Sequence, residues 1–318
     1  MKKALKYSDV CLLPNYSEVA SRSECDTSVQ FGSYKFALPV IPANMKTVIN
    51  EHLAEQLILE KYFYVLHRFG CDTVNFAKRL SGAQRGIKYV SVSVGVHDGD
   101  LIKQLSSKDT KVDYITVDVA HGHSYNVRKT IDIIRDAWGD RVFIIAGNVC
   151  TPTAVQQLSD WGADSVKVGI GQGSPCTTKD KTGFTLPMFT CVSECSKPGV
   201  PIIADGGARC TGDITKALVA GAKMVMIGGM FARCTDSPAE TIMTDRGKQK
   251  IYYGSASAEN KGHTKNIEGI KKSLGMDDTT YTEKLAEIKQ DLQSSISYAG
   301  GNDLSVLSLE NVVYREIS

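Results

Sequence analysis

A cysteine and two threonines follow directly after an apolar run and three glycines, at residues 165–178. The sequence there is SVKVGIGQGSPCTT, so Cys176 follows a glycine-rich loop and Thr178 lies two residues further on. Backbone amides exposed by such a loop can stabilise a thiolate, which is the nucleophilic form of cysteine. The Thr178 hydroxyl can relay a proton. We interpret Cys176 as a catalytic nucleophile, against the alternative of a buried and inert cysteine, which is expected for the other eight.

Two glycine pairs close later apolar runs of the chain, Gly206 with Gly207 and Gly228 with Gly229. Bare backbone amides in neighbouring loops and at helix starts are the usual phosphate site of a barrel. Asp205 directly precedes the first pair, where its carboxylate can accept hydrogen bonds from two ribose hydroxyls. The alternatives are glycines that only turn the chain and an aspartate that caps a helix. The pattern favours a phosphorylated ribose as the ligand.

Eight apolar, β-branched runs must position these residues, with amphipathic helical stretches between them. Near-continuous apolar strands indicate burial on both faces, and the spacing leaves room for one helix in each crossover. The pattern predicts a single (β/α)8 barrel over residues 1–318, with a doubly wound open sheet as the alternative. The runs are residues 36–44, 62–68, 89–96, 114–122, 142–149, 165–171, 201–207 and 224–231.

The segment 235–281 breaks this alternation, since it is polar and rich in Gly, Lys and Asn. A long irregular segment within a compact domain is more often a functional loop than an exception to the fold. We predict an active-site flap at about 235–281, followed by a C-terminal helix at about 282–299.

Composition limits the possible partners and compartment. The 318 residues are 42% hydrophobic and 23% charged, with a formal net charge of +2 and scattered basic residues, which does not favour nucleic-acid binding. No run is long enough for a signal peptide or a membrane span. The nine cysteines have neither metal-ligand nor disulfide spacing. We expect a cytoplasmic protein with no membrane partner.

The ordered set of motifs resembles the GMP reductases of the IMP dehydrogenase/GMP reductase family over nearly the whole chain. The matching segments are IPANM, SRSECD, DVAHGHS, AGNV, GIGQGSPCTTKDKTG, IIADGG, MIGGMF and QDLQSSISYAGG. The resemblance implies an NADPH-dependent reductive deamination of GMP to IMP and ammonia in purine salvage. In it the Cys176 thiolate forms a covalent thioimidate at purine C2, and Thr178 with Glu268 protonates the departing amine.

The same resemblance implies the remaining ligand contacts. The nucleotide would contact Ser174, Asp205, Gly206, Gly207, Gly228, Gly229, Ser255, Ala256, Lys265 and Gly269. The cofactor would contact Arg68, Asp118, Val119, Ala120, Ile170 and Gly171, and also Ser21 and Arg22 of a neighbouring subunit of a homotetramer. Backbone carbonyls of Gly171, Gly173 and Cys176 would hold a monovalent cation such as potassium. Arg68 stands where many members have lysine.

Two other functions compete with this interpretation. An IMP dehydrogenase would use the same thiol with NAD and water. However, residues 67–80, which run from the second strand to its helix, leave no room for the regulatory insertion that is usual in that enzyme. The flap segment also lacks the Arg-Tyr pair that activates water. A catalytically silent nucleotide sensor needs only the phosphate and ribose contacts. The combination of Cys176, Thr178 and Glu268 argues against that second alternative.

Overall fold

The computed structural model describes residues 3–82, 89–262, 265 and 267–317. Its strands are mostly short and alternate with helices along the chain. They are β1 (Val10–Leu12), β2 (Val29–Phe31), β3 (Tyr34–Phe36), β4 (Val40–Pro42), β5 (Ser91–Val94), β6 (Tyr114–Asp118), β7 (Phe143–Val149), β8 (Ser165–Val168), β9 (Ile202–Asp205), β10 (Met224–Ile227), β11 (Thr241–Thr244), β12 (Gly247–Tyr252), β13 (Lys272–Gly275) and β14 (Tyr314–Glu316).

The helices connect successive strands and form the outer layer. They are α1 (Glu51–Leu59), α2 (Thr73–Ser81), α3 (Gly99–Leu105), α4 (Tyr125–Trp138), α5 (Pro152–Asp160), α6 (Thr178–Thr182), α7 (Met188–Cys195), α8 (Thr211–Val219), α9 (Gly229–Ala232), α10 (Ala258–Lys261) and α11 (Tyr281–Tyr298). Several begin at side-chain caps, as the sequence indicates. For example, the Thr151 hydroxyl accepts the Ala154 amide at the start of α5.

The central sheet is parallel and curled, with strand order β4-β10-β9-β8-β7-β6-β5. From β5 to β10 each strand lies beside the next one along the chain, and β4, the first strand of the sheet along the chain, pairs with β10, the last. A doubly wound sheet would reverse its order at a switch point. The predicted barrel-like α/β fold is therefore confirmed, and the open-sheet alternative is not. Every residue of β5, β8 and β10 is buried, as expected for strands that are covered on both faces.

The second apolar run, residues 62–68, forms only a parallel bridge from Leu66 to Val92 of β5. Side chains replace the missing ladder partners. The Ser91 amide donates to the Tyr64 hydroxyl at 3.1 Å, and the Ser93 hydroxyl donates to the Leu66 carbonyl at 2.7 Å. The run is buried as predicted, and these two hydrogen bonds join it to β5 together with one backbone hydrogen bond, from the Leu66 amide to the Ser91 carbonyl at 3.2 Å.

An antiparallel hairpin of β2 and β3 fills the amino-terminal end of the barrel with aromatic rings. Phe31 and Phe36 pack against Phe63 and Tyr114, with ring centroids 5.0–6.4 Å apart. The Tyr114 hydroxyl donates to the Phe31 carbonyl at 2.6 Å. This packing leaves the opposite end, where the strands reach their carboxyl termini, for the functional site.

The segment 235–281 is not irregular, so this part of the flap expectation is wrong. Strands β11, β12 and β13 form an antiparallel sheet within it. The buried Lys250 ammonium fixes the preceding turn by donating to the carbonyls of Thr235, Ser237 and Ala239 at 3.0–3.3 Å. All residues of β11 and β13, and the first three of β12, are exposed or half-buried, so these strands have no continuous buried apolar run. Residues 263–264 and 266 of the predicted flap lie outside the described residues.

The final helix, α11, begins with a capping box between Thr280 and Glu283. Its buried side chains include Leu285, Ile288 and Leu292, which face the barrel. No helix in the described part of the chain is both long and apolar enough to cross a membrane.

Candidate active site

A cavity of about 340 Å3 opens at the carboxyl ends of the barrel strands. Residues at or just after the carboxyl-terminal parts of β4, β6, β7, β8, β9 and β10 all line it, together with residues 254–256 and 268–269 of the segment after the barrel. The loops after these strands therefore converge on one space, as expected for a barrel of this kind. The thiol, the aspartates and the glycines singled out from the sequence come together here.

The loop after β8 needs its glycines because it passes very close to neighbouring backbone. Gly169 has φ +126°, and a Cβ there would lie 2.3 Å from the Asp205 carbonyl oxygen. Gly171 has φ +71°, and its Cβ would meet Lys179. Beyond this turn, the Cys176 amide donates to the Gly173 carbonyl at 3.0 Å. The glycines thus hold the cysteine at the cavity wall, where larger residues would displace it.

Three side chains form a hydrogen-bonded chain at the wall. Cys176 Sγ lies 3.2 Å from Thr178 Oγ1, which donates to Glu268 Oε2 at 2.6 Å. An ionised carboxylate can only accept, so the single threonine proton goes to Glu268 and the threonine oxygen faces the thiol as an acceptor. The arrangement provides a path for a proton between sulfur and carboxylate.

Backbone hydrogen bonds join the cysteine loop to residues 267–270, which lie ninety residues further along the chain. The Thr177 amide donates to the Glu268 carbonyl at 2.9 Å, and the Ile270 amide donates to the Pro175 carbonyl at 2.8 Å. The Lys181 ammonium also donates to the Ile267 carbonyl. These contacts set the position of the Glu268 side chain relative to Thr178.

A buried ion cluster lies at the floor of the cavity. The Lys167 ammonium donates to Asp118 Oδ1 at 2.9 Å and to Asp205 Oδ2 at 3.2 Å, and Asn148 Nδ2 donates to the same Asp205 oxygen at 2.8 Å. Burial opposes the charged form of Asp118, but the Lys167 ammonium outweighs it and keeps the pKa of Asp118 below its usual value. Burial opposes the charged form of Lys167 too, yet the two carboxylates raise its pKa.

Arg68 forms part of the opposite wall. Its guanidinium lies 4.6 Å from the centroid of the Phe69 ring and 3.8 Å from an Asp98 oxygen. Gly95 must be glycine for this placement, since a Cβ there would lie 2.9 Å from the guanidinium carbon. Arg68 Nε is buried and has no hydrogen-bond partner among the residues that the structure describes. A buried donor without a protein partner at a cavity wall is a candidate contact for a ligand.

Gly206 and Gly228 line the cavity near the ends of β9 and β10. Gly206 has φ +99° and lies against the cysteine loop, where a Cβ would be 2.9 Å from the Gly173 amide nitrogen. At Gly228 a Cβ would lie 2.1 Å from the Tyr252 hydroxyl. Tyr252, which also lines the cavity, therefore fits only beside a glycine. The result is a pocket bounded by bare backbone and one hydroxyl, which suits an anion.

Comparison with known proteins matches the sequence of this chain to one family. The model for the IMP dehydrogenase / GMP reductase domain covers residues 4–317. The chain belongs to this family. It is 46% identical over 318 residues to a GMP reductase of Mesoplasma florum, covering 99% of each chain. It is 48% identical over 320 residues to a GMP reductase of Staphylococcus carnosus, covering 98% of this chain and 97% of that protein. A GMP reductase of Leptothrix cholodnii is 47% identical over 312 residues, with 96% and 94% covered.

Most of the site residues that the resemblance to the IMP dehydrogenase/GMP reductase family implies face one cavity. Those at its wall are Arg68, Asp118, Val119, Ala120, Ile170, Gly171, Gly173, Cys176, Thr178, Asp205, Gly206, Gly228, Ser255, Ala256, Glu268 and Gly269. The lining does not include Ser174, Gly207, Gly229, Lys265, Ser21 or Arg22. Ser174 is adjacent, and its hydroxyl accepts the Lys272 ammonium at 3.4 Å. Lys265 is exposed.

Ser21 and Arg22 lie on the surface of the protein, outside the lining of the cavity. Ser21 directly precedes a 3-10 helix at Arg22–Glu24, and the Arg22 guanidinium donates to Ser294 of α11 at 3.2 Å. Both residues are exposed in the single chain.

Several residues at the cavity wall were missed by the sequence analysis. A lysine inside an otherwise apolar strand, as in SVKV, was a signal that could have identified Lys167. Asn148 lies near the end of its apolar run, at the position expected for a site residue, but nothing in the sequence pairs it with Asp205. The others have no distinctive local signal; they are Asn44, Met45, Phe69, Gln172, Pro175, Met226, Tyr252 and Gly254.

Proposed function

We propose that the chain catalyses the NADPH-dependent reductive deamination of GMP to IMP and ammonia. The hydrogen-bonded chain of Cys176, Thr178 and Glu268 is the observation that supports this most strongly, because it joins a nucleophile to a proton donor. GMP reductases are also the relatives that match over nearly full length. They favour this reaction over an IMP dehydrogenase and over a silent sensor.

The first half-reaction exchanges an amine for the cysteine. As Cys176 sulfur bonds to purine C2, its proton moves through Thr178 to Glu268. The bond from C2 to the exocyclic nitrogen then breaks, and the same proton returns through Thr178 to that nitrogen, which leaves as ammonia. Proton donation is required because an amine is a poor leaving group as an anion. The product is a thioimidate on Cys176, and the thiol proton becomes the third hydrogen of the ammonia that leaves.

The second half-reaction releases the nucleotide. NADPH, when bound, supplies a hydride for purine C2. The carbon–sulfur bond breaks and the Cys176 thiolate leaves with the electron pair, so that a proton taken from solvent restores the thiol. Over both halves, GMP, NADPH and one proton give IMP, NADP+ and ammonia. Glu268 contributes only to the first half, because no amine departs in the second.

The nucleotide is held by its phosphate and ribose rather than by the thiol. Asp205 accepts the ribose hydroxyls through Oδ1, because Lys167 and Asn148 both donate to Oδ2. The phosphate lies against bare backbone amides and Ser174, and the purine lies near the residues that follow β12. These groups are Gly206, Gly207, Gly228 and Gly229 for the phosphate, and Ser255, Ala256, Lys265 and Gly269 for the base.

The residues on the Arg68 side of the cavity suit a dinucleotide. The unpaired, buried Arg68 Nε provides a donor for an acceptor atom of the cofactor. Asp118, Val119 and Ala120 follow β6 along the same wall, and Ile170 and Gly171 would complete the contact. Arg68 keeps the positive charge of a lysine, but a guanidinium does not release a proton, so it binds rather than protonates.

A monovalent cation, potassium in our proposal, binds the backbone carbonyls of Gly171, Gly173 and Cys176. The Gly173 carbonyl accepts the Cys176 amide with one of its two lone pairs and keeps the other for the ion. The positive φ of Gly171 supports a tight loop in which three carbonyls can converge. The cation would stabilise the shape of the cysteine loop.

The enzyme is proposed to be a cytoplasmic homotetramer built on one barrel domain. The exposed Ser21 and Arg22 would contact the cofactor of a neighbouring subunit, which accounts for their position away from the cavity. Segment 235–281 would cover the nucleotide. This segment carries Glu268, which lies at Thr178. All nine cysteines are free, which suits a reducing compartment.

The proposed reaction is tested by mixing the purified protein with GMP and NADPH and following NADPH oxidation. IMP and ammonia formed in equal amounts, in step with that oxidation, are the expected result. A parallel sample receives IMP and NAD. NADH formation there, with no reaction of GMP, would identify a dehydrogenase. GMP binding without turnover in either sample would identify a sensor.

A further inference from the structure

Lys167 is a fully buried cation inside the barrel. Its side chain is only 2% exposed and projects from β8, whose other residues are Ser165, Val166 and Val168. Its stem is held against β7, because a Cβ on Gly147 would lie 2.6 Å from Lys167 Cβ. Burying an ammonium is costly unless it is paired. Its position therefore requires an account beyond packing.

The partners of Lys167 belong to two different ligand regions. Asp118, at 2.9 Å, ends β6 on the Arg68 side of the cavity, whereas Asp205, at 3.2 Å, ends β9 beside the glycine pocket. Both carboxylates lie within reach of one nitrogen, so their oxygens are no more than about 6 Å apart. Without the ammonium, two carboxylates at this depth would repel each other. One would take up a proton or turn away.

The lysine also determines which carboxylate oxygens remain for ligands. At Asp205 both protein donors, Lys167 and Asn148, bond to Oδ2, and at Asp118 the lysine bonds to Oδ1. The second oxygen of Asp205, on a residue that lines the cavity, is left to accept a hydroxyl, and Asp118 lines the same cavity with its carboxylate held by Lys167. A hydroxyl group donates best to a charged acceptor.

We infer that Lys167 is a positioning residue shared by the nucleotide and cofactor regions. It holds Asp205 for the ribose of GMP and Asp118 for the cofactor, and thereby links the two sites through one side chain. This rests on the proposed function, since it assigns the two aspartates to those ligands. Lys167 touches neither ligand and takes no part in bond making.

The test compares Lys167→Met with Lys284→Met. Lys284 is a matched control, because its ammonium is also nearly buried between two carboxylates, Glu287 at 2.6 Å and Asp277 at 4.0 Å. Unlike Lys167, Lys284 does not line the cavity. In Lys167→Met the dissociation constant of GMP, by calorimetry, and the KM for NADPH both rise at least about tenfold, as expected for loss of charge-assisted hydrogen bonds. Neither changes in the control.

A double variant separates positioning from general damage. Adding Asp118→Asn to Lys167→Met removes the charge that repels Asp205, so GMP affinity recovers while the KM for NADPH stays high. A merely structural role for Lys167 predicts that the second change weakens GMP binding further. If the effects of the two substitutions on GMP affinity do not add, the two residues are in contact or share one hydrogen-bond or salt-bridge network.

Lys167→Arg covers the case in which the methionine variant does not fold. This variant retains the charge, so the dissociation constant of GMP and the KM for NADPH should both stay within about tenfold of wild type. A larger increase of both would overturn the inference. Equal constants in wild type and a folded Lys167→Met would overturn it too. Failure of the wild-type protein to reduce GMP contradicts the proposed function instead, so the two failures are distinguishable.

Discussion

Replacing Glu268 with glutamine tests the proton path most sharply, because it changes the chemistry of the site while preserving its shape. Glutamine keeps an oxygen that can accept the Thr178 hydroxyl, now 2.6 Å from the carboxylate. It cannot store the thiol proton or return it to the amine. The backbone contacts of this segment with Thr177 and Ala256 involve main-chain atoms and are retained.

The size of the effect follows from two losses. A hydrogen bond to a charged group contributes about 1.5–3 kcal/mol, which corresponds to about a ten- to hundredfold change in rate. Loss of the proton donor brings the expected decrease in the rate of amine departure to about 10²–10⁴-fold. Hydride transfer, which needs no proton from Glu268, keeps its rate.

Single-turnover measurements with NADPH deuterated at the transferred position distinguish the two steps. Since deamination becomes much the slower step in Glu268→Gln, the deuterium isotope effect on NADPH oxidation should approach unity. GMP affinity should stay close to that of the wild type. An isotope effect as large as that of the wild type, accompanied by the same loss of rate, would mean that Glu268 acts on both steps, and the assigned role would be wrong.

Three further predictions concern the thiol, the glycine pocket and a buried histidine. Cys176→Ser should abolish turnover but bind GMP in calorimetry nearly as well as wild type, because the phosphate and ribose contacts lie elsewhere; loss of binding by a folded variant would contradict this. Gly228→Ala should raise the KM for GMP at least about tenfold, since its Cβ would lie 2.1 Å from the Tyr252 hydroxyl; Gly99→Ala, whose Cβ would meet no atom within 4 Å and which lies outside the cavity lining, is the control. Burial lowers the pKa of His67 to about 4. The unfolded chain therefore binds more protons than the folded chain between about pH 6.5 and 4. The free energy of unfolding should decrease as the pH falls through that range. His67→Asn should show a weaker dependence in thermal unfolding at several pH values, and an unchanged dependence would exclude His67 as the cause.

The barrel could be predicted from sequence because its strands are buried on both faces. Burial on both faces leaves continuous apolar runs, and the carboxyl ends of such strands must meet at one edge. That reasoning located Cys176 and Asp205 correctly at one cavity. It failed for strands β11–β13, where most residues are exposed or half-buried, and for residues 62–68, which form a single bridge to β5.

The ion cluster shows the limit of reasoning from local pattern. Lys167 pairs with residues from two other strands, 49 and 38 positions away along the chain. No periodicity encodes such a pairing, because strand order and register decide which side chains meet. The same applies to Glu268, which looks like a solvated carboxylate in the sequence until backbone contacts bring it to Thr178.

The covalent step through Cys176 is the central claim, and the reaction run in reverse tests it most directly. With IMP and NADP+ but no ammonia, the reverse reaction should stop at the thioimidate, forming one NADPH for each nucleotide attached. Mass spectrometry of the digested protein should then find the nucleotide on the peptide that contains Cys176, and addition of ammonia should release it as GMP. NADPH formation with Cys176 unmodified, or attachment to another residue, would contradict the account.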